Sequence, residues 1–290
     1  MATLRDLRRR ISSVKNTQKI TKALELVAAA KMRRAQQAME RSRPYADAIA
    51  DVLAQLATRQ LESTHPFLVE RKEVKARLLL LVTADRGLAG GLNANAIRAA
   101  NRFIRREPVP VKLVTIGRKG RDFFRRFDLD LLADRSMLPD RPGIDEIRPA
   151  VTVAMDEFVE GGVDEVWMIY SRYVSPVSQV ATTVRVIPPQ LPDAVKHEGV
   201  QPLYEFEPSP EAVLETLLPR YVEAQVYRAV LETQASFQAA QMAAMRSASD
   251  NANELIGDLT LVANKLRQAV ITKELMEIVG GAEALAAASR

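Results

Sequence analysis

The sequence predicts an α/β fold with long helices: an antiparallel two-helix coiled coil from the N- and C-termini, plus a central Rossmann-like α/β domain with a mostly parallel sheet. Three observations predict it. Nine of the twelve glycines fall between Gly87 and Gly199, which leaves both ends of the chain permissive for helix. Apolar and small residues near the N-terminus recur at alternating intervals of three and four. The middle alternates short apolar runs with amphipathic segments, as strands covered by helices do.

The N-terminal helix is expected over residues 1–60. Leu4, Leu7, Ile11, Val14, Gln18, Thr21, Glu25, Ala28, Met32, Ala35 and Met39 form a heptad seam that is apolar at its start and small or polar in its middle. A second stripe of Ile20, Leu24, Val27 and Lys31 begins where the first weakens, so an outside partner is expected there. Pro44 offers a kink, after which Ile49, Val52, Leu53 and Leu56 continue the pattern. This segment also concentrates charge. Residues 1–43 hold twelve Lys or Arg against three acids, whereas the whole chain has a net charge of only +5. Such a basic segment calls for an acidic partner or plain solvation.

The central domain is expected over 74–190. Runs at 76–83, 111–116, 129–133 and 164–174 read as buried strands, and 180–188 as a strand with one wet face. Helical patterns lie between them at 93–106, 117–126 and 145–160. A proline-rich connector follows at 191–208. The C-terminal helix is expected over 209–285, with Ser209 as N-cap, Pro210 in the first turn and Glu211 complementing the dipole. Its apolar positions read as Leu214, Leu217, Tyr221, Leu255, Leu259, Val262, Leu266 and Ala269, and Gly280–Gly281 as its end. Neither long helix buries enough alone, so pairing them is the economical arrangement.

Composition excludes several functions. The 290 residues contain no cysteine and only two histidines, His65 and His197, neither in a metal-binding spacing. No apolar run is long enough to span a membrane, and the N-terminus lacks the apolar stretch of a secretory signal. "VTADRGLAGGLNANAI" stands where a phosphate cradle would, after a strand and before a helix, but it has neither a dinucleotide nor a P-loop spacing. It reads as a tight turn or an exposed contact loop. In "IGRKGRDFFRRF", Phe123, Phe124 and Phe127 fit one helical face packed on the sheet. No nucleophile elbow or acid–base constellation is present, so no catalytic, cofactor-binding or metal residues are assigned.

"RDLRRRISSVKNTQKITKALELVAAAKMRRAQ", "TADRGLAGGLN" and "SDNANELIGDLTLVANKLRQAVITKELMEIVGGAEAL" resemble, in order and over essentially the whole length, the gamma subunit of the rotary ATP synthase. The resemblance implies a non-catalytic rotor shaft without a cofactor. Its implied partners are the alpha and beta subunits of the catalytic ring, the epsilon subunit and the c-ring of the membrane sector, with neither nucleic acid nor a direct membrane span. The implied place is the cytoplasmic face of a bacterial membrane, as a peripheral protein. Carried over one at a time, the ring contacts are Leu24, Lys31, Arg33, Arg34, Asp85, Arg86, Arg267, Gln268, Thr272 and Glu274. The residue pattern itself leaves two rivals: a basic coiled-coil protein that binds nucleic acid, and a stand-alone α/β enzyme using the glycine-rich loop.

Overall fold

A computed structural model describes residues 3–57, 65–127, 129–190 and 206–288. Most of the expected connector and His197 lie outside these residues. The chain divides into two compact units, Ala28–Ala243 and the pair of segments Met1–Val27 and Ala244–Arg290. Two long helices, α1 (Leu4–Ala57) and α5 (Pro210–Ala288), contribute to both.

In the larger unit a five-stranded sheet runs in the order β3-β2-β1-β4-β5. Its strands are β1 (Arg77–Val82), β2 (Val111–Ile116), β3 (Leu131–Arg135), β4 (Glu165–Ser175) and β5 (Ser178–Ile187). The first four pair in parallel, and β5 adds an antiparallel edge through the β4–β5 hairpin. After Arg77, strand β1 is apolar because both of its faces are covered. Leu78, Leu80 and Val82 pack with α1, α5 and α4 (Ile144–Val159), through residues such as Leu53, Leu218 and Phe158. Leu79 and Leu81 face α2 (Leu92–Arg106) and α3 (Arg118–Phe124), through Ala96, Ala100 and Phe124. Burying each such leucine contributes roughly 1.5–3 kcal/mol.

Polar bonds fix the helices to the sheet. On α5, Thr233 Oγ1 accepts the Ser171 amide at 3.2 Å and Ser236 Oγ donates to the Ser171 carbonyl at 3.0 Å. Asp164 accepts the amides of Lys75 and Ala76 at 2.5 and 3.0 Å, and Arg71 Nη1 at 2.8 Å. At the end of β2 only glycine fits. Gly117 has φ 103°, and a Cβ there would lie 2.0 Å from the Thr83 carbonyl oxygen.

Some expectations are corrected. Strand β3 starts two residues later than expected. Helix α3 stops at Phe124, so Phe127 leaves the helical face and is exposed while still touching Phe123 and Phe124. Helix α1 runs through Pro44 as expected, whereas α5 passes its expected end and continues through Gly280 and Gly281 to Ala288, because good helix formers on both sides outweigh the cost of about 1 kcal/mol for each glycine. At the start of α5 the expectation holds, since Ser209 Oγ accepts the Ala212 amide at 3.2 Å.

Candidate functional site

In the smaller unit the two chain ends pair antiparallel. Helix α1 opens on a reciprocal cap. Thr3 Oγ1 accepts the Asp6 amide at 3.2 Å, and Asp6 accepts the Thr3 amide at 3.1 Å. All eleven seam positions from Leu4 to Met39 are buried or half-buried, and of the other positions between Leu4 and Val27 only Leu24 shares that shelter. The opposing seam on α5 is Met245, Ser249, Ala252, Ile256, Leu259, Ala263 and Leu266. It corrects the expected stripe: Leu255, Val262 and Ala269 are exposed. Two apolar sets compete for the inner face there, and the one holding the small residues Ser249, Ala252 and Ala263 wins because it lets the helices approach.

The polar middle of the seam is a bonded layer. Gln18 Nε2 donates to Asn253 Oδ1 at 2.6 Å, and the hydroxyls of Thr21 and Ser249 lie 2.7 Å apart. Glu25, also on the seam, is joined at 3.0 Å by Lys22. Such polar contacts within an apolar seam specify one register. Followed back to the start of α1, that register sets Leu4 against Leu266 or Arg267. Burial ends at the same place: Leu266 is the last sheltered residue of α5 among those described for burial, and every residue from Arg267 to Ala282 is exposed. From Arg267 to Ala282 the helix is an overhang of about 24 Å. It carries Val270, Ile271, Leu275, Met276, Ile278 and Val279 in the open.

Arg267, Gln268, Thr272 and Glu274 all lie on this overhang, on two adjoining faces. Leu24 lies beside the paired region, about 30 Å further along the helix. Ile20 and Val27 of its stripe are exposed. The remaining expected contacts belong to the larger unit. Lys31 Nζ is engaged with Asp140 Oδ2 at 2.6 Å, whereas Arg33 and Arg34 are exposed and have no ion pair among the described residues.

Asp85 points inward. Its Oδ1 accepts the amides of Arg118 and Met137 at 2.8 and 3.0 Å, and its Oδ2 accepts that of Leu138 at 3.0 Å. Asn93 stitches the same glycine-rich loop by accepting the Ala84 amide and donating to the Arg86 carbonyl. Ala89 and Leu92 pack on Phe237 of α5. The loop is thus a rigid turn that displays Arg86 and Leu88, the latter with φ 62°. Its reading as a tight turn holds. Sequence reasoning did not find the bonded layer, although Gln18 and Thr21 stood on the seam, because it took polar residues there as a weakening.

Among the described residues no helix is long and apolar enough to cross a membrane. The family model described as ATP synthase matches residues 3–285. The ATP synthase gamma chain of Desulfitobacterium hafniense is 46% identical over 285 residues, covering 98% of this chain and 100% of its own. That of Desulforamulus reducens is 48% identical over the same length and coverage. The central stalk and c-ring structure of the Tetrahymena thermophila mitochondrial ATP synthase contains a chain 26% identical. The match has a TM-score of 0.62 and covers 79% of this chain and 99% of that one. A chain of the Euglena gracilis mitochondrial ATP synthase shares the fold at 18% identity and a TM-score of 0.69, with 99% and 96% covered. All four are chains of an ATP synthase, and the nucleic-acid alternative finds no support among them.

Proposed function

The chain belongs to the ATP synthase gamma chains, and from that membership we propose that it is the central-stalk rotor shaft of a rotary ATP synthase. It is a non-catalytic subunit. By rotation it couples proton flow through the membrane sector to ATP synthesis or hydrolysis in the alpha/beta ring, and it regulates that ATPase activity. Its partners are the alpha and beta subunits, epsilon and the c-ring, and it works as a peripheral protein on the cytoplasmic face of the membrane. Residues 1–60 and 209–285 serve as the shaft helices, 74–190 as the central domain and 191–208 as the connector.

One observation carries the reading beyond family membership: the chain ends pair in a fixed register and then leave a single helix with apolar residues in the open. A helix of that kind needs surroundings supplied by other chains. Inside a ring of three catalytic pairs, one asymmetric shaft touches each pair differently, so the three sites are never equivalent. Turning the shaft passes each set of contacts to the next site, and their differences in free energy shift sites between open and closed states. The ring contacts in this reading are Leu24, Lys31, Arg33, Arg34, Arg86, Arg267, Gln268, Thr272 and Glu274. Asp85 contributes by holding the loop that presents Arg86.

The test is co-expression with alpha and beta subunits and purification through a tag on this chain. A stoichiometric complex that hydrolyses ATP is expected; recovery of the chain without the ring would refute the reading.

A further inference from the structure

In the larger unit, one face of α1, the segment leading into α4 and one face of α5 enclose a cleft of about 810 Å³. Six arginines line it: Arg34 and Arg41 from α1, Arg141 and Arg148 from the α4 side, and Arg220 and Arg228 from α5. Glu223 is the one acidic residue in its lining, and it bonds Arg148 Nε at 3.0 Å. Arg228 is paired with Glu232 at 3.1 Å. Arg34, Arg41, Arg141 and Arg220 have no carboxylate partner among the described residues. Like charges around one cavity focus a positive potential that a polyanion offsets, and guanidinium forks match phosphate oxygens in pairs.

The walls are set in advance. Tyr227 Oη donates to the Pro142 carbonyl at 3.1 Å, and Gln234 Nε2 donates to the Pro139 and Asp140 carbonyls at 3.3 and 2.8 Å. These bonds hold the segment bearing Arg141 against α5. Tyr45 and Tyr227 add aromatic surface, and Ala38, Ser42 and Ala224 keep the floor low. A second recess of about 120 Å³ shares Arg34, Ala38, Arg141 and Tyr227 with the cleft and reaches Gln238. Gln238 is 6% exposed, and its Oε1 has no hydrogen-bond partner among the described residues. A buried carbonyl oxygen in that position calls for a donor.

We propose that the cleft is a binding site for a nucleoside polyphosphate, with the phosphates on the arginines and a hydroxyl or amino group of the nucleoside donating to Gln238 Oε1. The volume suits a ligand of that size, and the single unmet acceptor separates it from a bare phosphate chain, which has no donor to offer. The site lies outside the glycine-rich loop, and of the proposed ring contacts only Arg34 lies in the main cleft.

Calorimetric titration of the full chain with ATP and with inorganic triphosphate at physiological salt tests the proposal. ATP is expected to bind once per chain, at least tenfold more weakly to Arg34→Ala/Arg41→Ala and within twofold of the parent to Arg8→Ala/Arg9→Ala, which loses the same charge elsewhere on α1. Gln238→Leu is expected to bring ATP down to the affinity of triphosphate while leaving triphosphate unchanged. If the first double variant fails to fold by circular dichroism, Arg141→Ala serves in its place. No saturable binding, more than one equivalent, or equal weakening of both double variants would overturn the proposal. So would tighter binding of an Asp/Glu-rich peptide that displaces ATP, which would assign the cleft to a protein partner.

Discussion

The hydroxyls of Thr21 and Ser249 meet at 2.7 Å inside the paired chain ends, 228 residues apart in sequence. Each is the other's side-chain partner, beside the Gln18–Asn253 pair in the polar middle of the seam. Thr21→Val is expected to destabilise the pairing by about 1–2 kcal/mol, because it strands the Ser249 hydroxyl. Thr21→Val combined with Ser249→Ala should recover most of that loss. A double-mutant cycle by urea unfolding measures the coupling, and strict additivity of the two changes would show that the hydrogen bond contributes nothing.

Asp85 collects three backbone amides from two segments beyond its own loop. Asp85→Ala is expected to cost about 2 kcal/mol or more and to speed amide exchange at Arg118, Met137 and Leu138. Asp85→Asn keeps one acceptor oxygen and should give an intermediate result. Unchanged exchange at these three amides would rule out the clamp.

Burial pushes the Asp164 carboxyl up, but the amides of Lys75 and Ala76 and the Arg71 guanidinium outweigh it and hold the group below its ordinary value of 3.8. The unfolded chain therefore takes up this proton first. The stability that the group contributes is complete above its unfolded value and is lost as pH falls through the lower folded one. Asp164→Ala should remove roughly 3 kcal/mol at neutral pH and flatten the acid limb of a stability-against-pH curve. A parallel displacement of the whole curve would contradict the assignment.

Arg267 and Gln268 stand first on the overhang, where no residue of the paired helix covers them. Exposed charged contacts are worth roughly 0.2–1 kcal/mol each. Arg267→Ala/Gln268→Ala should accordingly lower ATP-driven proton pumping by roughly two- to thirtyfold while the complex still assembles. Pumping per ATP equal to that of the parent would remove both residues from the coupling path.

Much of this was legible in the sequence because it rests on local pattern. Leu78 to Val82 read as a doubly covered strand, and the seam from Leu4 to Met39 marked the face that is sheltered. Competition between neighbouring patterns was not legible. Leu255 and Val262 fit a seam as well as Ile256 and Ala263 do, and only the partner's geometry decides between them. The inward turn of Asp85 depends on amides 33 and 52 residues away, and the arginine cleft gathers three distant segments. Neither leaves a periodic trace.

From Arg267 to Ala282 the overhang gains no burial from its own chain, and helices in water draw most of their stability from packing an apolar face. Its folding is thus thermodynamically linked to assembly: whatever surrounds it stabilises it, and dissociation releases it to fray. An unassembled chain would then advertise its state through a protease-sensitive end, while an assembled one conceals it. The same helix that transmits force in the complex would report, outside it, that the complex is incomplete.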